Sequence, residues 1–184
     1  MLKASALGRL SRFMRDRHGV SAVEFAFIAP VMIGLYLGCT EISDGVAADR
    51  KVSLIVDALA NLSAQVTTIS TADMTNILNA SSSIIAPYSA NNLQATLSCL
   101  QIAANGKVTV AWSATLNGTA RVVGSSVTIP SALAVPSTQL LFGEASYAYT
   151  PIVGYTITGT LTLSDHMYMA PRITAPSYNG TACT

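Results

Sequence analysis

Hydrophobic and polar positions follow three successive patterns along the chain. From Val20 to Thr40 the residues are almost uniformly apolar; Glu24 is the one charge, and Phe25 to Thr40 carry none. That run reaches the ~20 residues a helix needs to cross the hydrocarbon core of a bilayer. Beyond it, Ile42, Val46, Ile55 or Val56, Leu59, Leu62 and Val66 recur at helical spacing, with Asp44, Asp49, Arg50 and Asp57 between them. This predicts an amphipathic continuation to about Gln65, with Gly45 as the natural place for a bend. Ser70 or Thr71 then caps a second helix bearing Met74, Ile77, Leu78 and Ile84, which Pro87 stops near Ile85.

From Leu93 the period falls to two. Strands are predicted over Leu93–Ile102 and Lys107–Leu116, joined at Asn105-Gly106, and Asn117-Gly118 marks the next turn. Pro130 and Pro136 bracket a loop, and two more strands are expected over about Leu140–Thr150 and Ile152–Leu163, separated by Pro151. The fold class is α+β: a long N-terminal helix, transmembrane and then amphipathic, packed on a small, mainly antiparallel sheet. The expected organisation is a basic leader over 1–19, a transmembrane helix over 20–41 and an exported globular domain over 42–184.

Composition changes this picture in one respect. The 184 residues are 51% hydrophobic and 10% charged, against about 25% charged in ordinary domains, which excludes disorder of the whole. The net charge of +1 is a near-cancellation of two unlike parts. Lys3, Arg9, Arg12, Arg15 and Arg17 against Asp16 give the first 19 residues +4, and the remainder carries −3. A basic arm can bind nucleic acid, but this one abuts the apolar run, and basic residues on one flank mark the cytoplasmic side. Acids follow the run: Glu41, Asp44 and Asp49. The body is therefore expected outside the cytoplasm on a single-pass anchor, with membrane lipid as a partner and nucleic acid excluded.

How the leader is processed has several readings. A secretory signal cut at Val46-Ala47-Ala48 would be unusually long, and a lipoprotein signal ending at Cys39 would have Tyr36 where an aliphatic residue belongs. A third reading starts from Arg15-Asp-Arg-His-Gly19-Val20-Ser-Ala-Val-Glu24-Phe25, which resembles a prepilin cleavage site, with the cut between Gly19 and Val20 and Glu24 at mature position five. Gly lets an extended backbone enter a protease cleft. A carboxylate deep in an apolar helix costs roughly 2.5–3.5 kcal/mol and needs a partner. The alternative is an ordinary anchor helix, with Glu24 in the headgroup region and Gly19 incidental.

Gly19, Ala22-Val23-Glu24-Phe25-Ala26, Pro30 and Glu41 together resemble the TadE-like family, minor pilins or pseudopilins of the bacterial tight-adherence (Tad/Flp) pilus. Tyr147-Ala-Tyr-Thr-Pro151 and Ala170-Pro171-Arg172 add a weaker likeness. The resemblance implies a precursor in the bacterial inner membrane, N-terminus cytoplasmic and C-terminal domain periplasmic, cut by a prepilin peptidase. It implies that Glu24 meets the new α-amino group of a neighbouring subunit, and that other pilins and Tad assembly-platform proteins are partners in pilus assembly and adhesion. The competing reading is a permanently anchored periplasmic binding module.

Ala22, Ala26, Pro30, Gly34 and Gly38 recur every four residues, a smooth face on which membrane helices approach closely. Pro30 removes one backbone hydrogen bond and should kink or loosen the helix. Of the three cysteines, Cys39 ends the apolar run, while Cys99 and Cys183 fall in the body. An even pair in an oxidising compartment predicts a Cys99–Cys183 disulfide, two free thiols being the alternative. No cofactor or metal is expected, since no Cys or His cluster has ligand spacing. Ser164-Asp165-His166 holds the residue types of a hydrolase triad, yet neighbours in a strand point to alternate faces and no nucleophile elbow is present. The chain is not expected to be an enzyme.

Overall fold

A computed structural model of the chain describes residues 18–152 and 159–183. The basic leader with Lys3, Arg9, Arg12, Arg15 and Arg17 lies outside the described residues, as does the stretch 153–158. The elements in order are α1 (His18–Ala64), β1 (Thr68–Ile69), α2 (Thr71–Ile84), β2 (Leu93–Ile102), β3 (Val108–Leu116), β4 (Thr138–Tyr149), β5 (Leu161–Met169) and β6 (Ser177–Tyr178). Short 3-10 turns lie at Ala90–Asn92 and Ser131–Leu133. The chain divides into two compact units, 1–42 and 43–184. The class is α+β, as the patterning predicts.

In the first unit the described residues are all helix, running through Pro30. Gly19–Thr40 belong to the one described helix long and apolar enough to cross a membrane. Phe25, Phe27, Val31, Leu35 and Tyr36 are each more than 60% exposed. A helix that is apolar all round and left uncovered by the described residues requires an apolar environment.

The second unit is a four-stranded antiparallel sheet of order β3-β2-β4-β5, with the 43–64 part of α1 and with α2 on one face. The face α1 buries is Ala48, Val52, Ile55, Val56, Leu59, Ala60 and Ala64. It differs from the one read from the sequence: Ile42, Val46, Leu62 and Val66 are exposed. Their bulk marks them as core, but the contact is close enough that alanines and Ser63 fill it instead. Gly143 in β4 permits that closeness, because a Cβ there would sit 3.2 Å from the Val56 carbonyl oxygen and 3.8 Å from the Ala60 Cβ. Gly45, expected at a bend, lies within unbroken helix and faces the Tyr149 ring at 3.6 Å from its would-be Cβ.

Helix α2 starts as its sequence dictates. Ser70 accepts from the Asp73 backbone N–H while the Asp73 carboxylate accepts from the Ser70 N–H, a reciprocal capping box. The helix closes at Ile85, ahead of Pro87.

A β-bulge divides the interior in two. Cys99 pairs with Trp112 but Leu100 pairs with Val110, so Ala111 is the extra residue. The insertion flips the side-chain parity of β3. Trp112 and Ala114 join Leu93, Leu97, Leu141 and the helices in the main core, while Val108 and Val110 join Leu100, Ile102, Leu140 and Phe142 on the opposite face. Val127, Ile129 and Leu133 cover this second core, and the outer edge of β3 bonds Ser125, Gly124 and Val127.

Of the strand expected over Ile152–Leu163, the stretch 153–158 lies outside the described residues, and a described strand runs over Leu161–Met169, past the expected end. Ile152 is outside any strand, and the described β4–β5 pairing starts at Tyr149 and Leu161. The alternation that meets the core is Leu163, Met167 and Met169.

The C-terminal segment then straps the body. Arg172 N–H donates to the Ala64 carbonyl at the end of α1, β6 pairs in parallel with β1, and Trp112 Nε1 donates to Pro176 O at 2.9 Å. Cys183 forms a disulfide with Cys99, Cα atoms 6.0 Å apart and both residues buried.

Candidate functional site

The residues that the sequence ties to processing and assembly all lie on the first unit's helix. Gly19 and Val20 are in its first described turn, and a side chain at Gly19 would meet nothing within 4 Å. A glycine in a helix is less stable than alanine by about 1 kcal/mol. Glu24 and Phe25 are exposed, Phe25 by 70%. Glu24 is the one charge in the run from Val20 to Thr40. Ala22, Ala26, Pro30 and Gly34 are exposed and Gly38 is half-buried. Beside Gly34 and Gly38 the space is open to 4 Å. At four-residue spacing these positions drift by about 40° per step, so successive ones share a face while Ala22 and Gly38 lie about 160° apart around the helix.

In the second unit, the outward face of β2, β4 and β5 carries a polar cleft of about 340 Å³. Arg121, from the loop after β3, grips Glu144 through two bonds of 2.6 Å and lies over the Phe142 ring at 5.1 Å. Its guanidinium is held protonated more firmly than usual by the Glu144 carboxylate. Phe142 stacks on Tyr168 with centroids 4.5 Å apart, and His166 meets both edge-on. Sequence reading missed this cluster. The β4–β5 register that places Phe142 opposite Tyr168 and Glu144 opposite His166 follows from strand alternation once β5 is correctly bounded. Arg121 comes from a loop and has no local signal.

Ser164 and His166 share that outer face, while Asp165 points to the other, where Ser53 Oγ of α1 donates to its carboxylate at 2.6 Å. The three residues are not a triad. The Ser53 hydrogen bond, helped by the His166 N–H and opposed by desolvation, holds the Asp165 carboxyl below the usual carboxylate range. A carboxyl with a depressed folded-state pKa stabilises the fold above its unfolded pKa, and that contribution is lost as pH falls through the folded value. Ser53→Ala is therefore expected to lower the melting temperature at neutral pH and to leave it less sensitive to acidification below about pH 4. Parallel melting-temperature profiles of wild type and variant from pH 7 to pH 2 would refute this linkage.

Fold and helix together define a class: a small α+β body on a single helix apolar enough to anchor it in a membrane. Within that class the resemblance has a definite address, since the model of the TadE-like protein family matches residues 19–57. The match spans the apolar run and enters the part of α1 that packs on the sheet. The matched stretch is 39 of the 184 residues. No curated protein and no solved structure matches the chain.

Proposed function

We propose that the protein is a minor pilin or pseudopilin of a Tad pilus, inserted as a precursor, cut between Gly19 and Val20, and assembled through its N-terminal helix. The observation that carries this reading is the TadE-like match over 19–57, which begins at Gly19 itself. The exposure of Glu24 on an apolar surface supports it, because such a carboxylate is stable in lipid only with a cationic partner. An α-amino group created at Val20 of a neighbouring subunit supplies that charge. Prepilin peptidase, other pilins and assembly-platform proteins are then the partners, and the second unit faces the periplasm or the pilus surface.

The N-terminal residue of the protein purified from its own host tests the reading. A start at Val20 is expected. A start at Met1 or Leu2 in cells with active prepilin peptidase would overturn it and favour a permanent anchor.

A further inference from the structure

We propose that the polar cleft on the outward face of β2, β4 and β5 binds a neutral saccharide, and that it binds the sugar without cleaving it. The cleft lies wholly within the second unit, so the proposal stands whether or not the chain is cut after Gly19.

The cleft holds about 340 Å³, at the lower end of the roughly 300–1,000 Å³ of small-molecule sites, room for a mono- or disaccharide. Gln94, Thr96, Arg121, Glu144, Ser164 and His166 line it. Its polar groups are fixed before any ligand arrives. Arg121 holds Glu144 through two bonds of 2.6 Å, and is itself held by its backbone N–H on Ser113 Oγ at 3.0 Å and by the Phe142 ring. Thr115 Oγ1 donates to the Ala95 carbonyl, so its one hydrogen is used, and the 2.9 Å contact with Thr96 is a bond that Thr96 donates. Thr96 therefore offers the cleft only oxygen lone pairs. His166 is set edge-on against Phe142 and Tyr168.

These groups select the ligand by elimination and then by fit. Arg121 and Glu144 cancel in charge, so an anion would lie beside a carboxylate and a cation beside a guanidinium. An apolar ligand would strip water from hydroxyl, amide and carboxylate groups without replacing its bonds. An extended peptide would find no backbone ladder, because a sheet face presents side chains while the N–H and C=O groups lie in the sheet plane. What the cleft offers is acceptors, Thr96 and Glu144, beside groups that both donate and accept, Gln94, Ser146 and Ser164. Sugar hydroxyls each donate one bond and accept others, so neighbouring ones meet both kinds, and the C–H face of the ring fits against the exposed His166 ring. Glycoside hydrolysis calls for two carboxyl groups flanking the bond. Asp165 is turned to the other face and bound by Ser53, which leaves Glu144, itself held by Arg121, as the one carboxylate facing the cleft among the described residues.

The test presents the full chain, in alkylphosphocholine micelles that carry no sugar, to an array of immobilised neutral oligosaccharides of hexoses and N-acetylhexosamines. Sialylated and sulfated sugars and unstructured peptides share the array. Ser164→Ile narrows the cleft from an exposed strand position that suits a β-branched residue. Gln94→Ala removes an exposed amide and carries the test if the isoleucine disturbs β5. Asn76→Ala on α2, which packs on the other face, is the reference. Wild type and reference are expected to be retained on at least one neutral oligosaccharide, with half-saturation raised about tenfold by Ser164→Ile and about fivefold by Gln94→Ala. No retention of wild type on any neutral oligosaccharide would overturn the proposal. Retention on charged sugars alone, or on peptides alone, would mean an anion or peptide site and would overturn it too. Neutral-sugar retention undiminished in both variants would place the sugar away from this cleft, and shortened oligosaccharides in the wash would refute binding without cleavage.

Discussion

Cys183→Ser is expected to lower the stability of the second unit by roughly 4–5 kcal/mol. The bond joins residues 84 apart in sequence, so its loss releases a long loop into the unfolded ensemble, where most of the difference arises. The folded state changes too. The strap it secures carries the Trp112–Pro176 hydrogen bond, the Trp112–Tyr178 ring contact at 5.6 Å and the pairing of β6 with β1. Urea denaturation with and without reductant measures the effect, and reductant should make wild type match the variant. Amide exchange at Ser177 and Asn179, which donate to Thr67 and Ile69 carbonyls, should accelerate well before the sheet opens. Equal midpoints for wild type and variant under oxidising conditions would rule the contribution out.

Gly143→Val is expected to destabilise by about 3 kcal/mol, and Gly143→Ala by about 1 kcal/mol. The reason is the partner. The atom 3.2 Å from the added Cβ is the Val56 backbone oxygen, which cannot rotate aside as a flexible side-chain tip would. Either α1 lifts from β4, opening the layer around Val52, Leu59 and Leu141, or β4 bends away from its neighbours. The check is the urea midpoint at unchanged slope, which reports stability and not a change in the unfolded state. A valine variant as stable as wild type would show that the helix rests on the sheet less firmly than the contact implies.

The elements legible in the sequence were those with a strong local cause. The bounds of β2 follow from near-alternation ending at the Asn105-Gly106 turn, and those of α2 from the Ser70–Asp73 box and Pro87. The apolar run and its Glu24 were legible for the same reason, being contiguous. Four features were not legible because their causes are non-local. The core face of α1 is chosen by how near β4 lets it come, so Ala48 and Ala60 are buried where Val46 and Leu62 are not. The Ala111 bulge sends Val110 and Trp112 to opposite cores although their spacing says one face. The β1–β6 pair is two residues long on each side and exists because the disulfide and Trp112 bring the segments together. The Arg121–Glu144 pair is of the same kind, a loop residue reaching a strand.

The way α1 is fastened has a mechanical meaning. At the near end Tyr88 Oη grips Asp44 O, and at the far end Arg172 holds the Ala64 carbonyl through its N–H and Asn61 Oδ1 through its guanidinium. Between these fixings the helix lies along the sheet, with Ser53 tied to β5 and Val56 seated on Gly143. Tension entering at residue 43 along the helix axis loads these contacts together in shear. Contacts loaded in this way are expected to yield together and not one at a time.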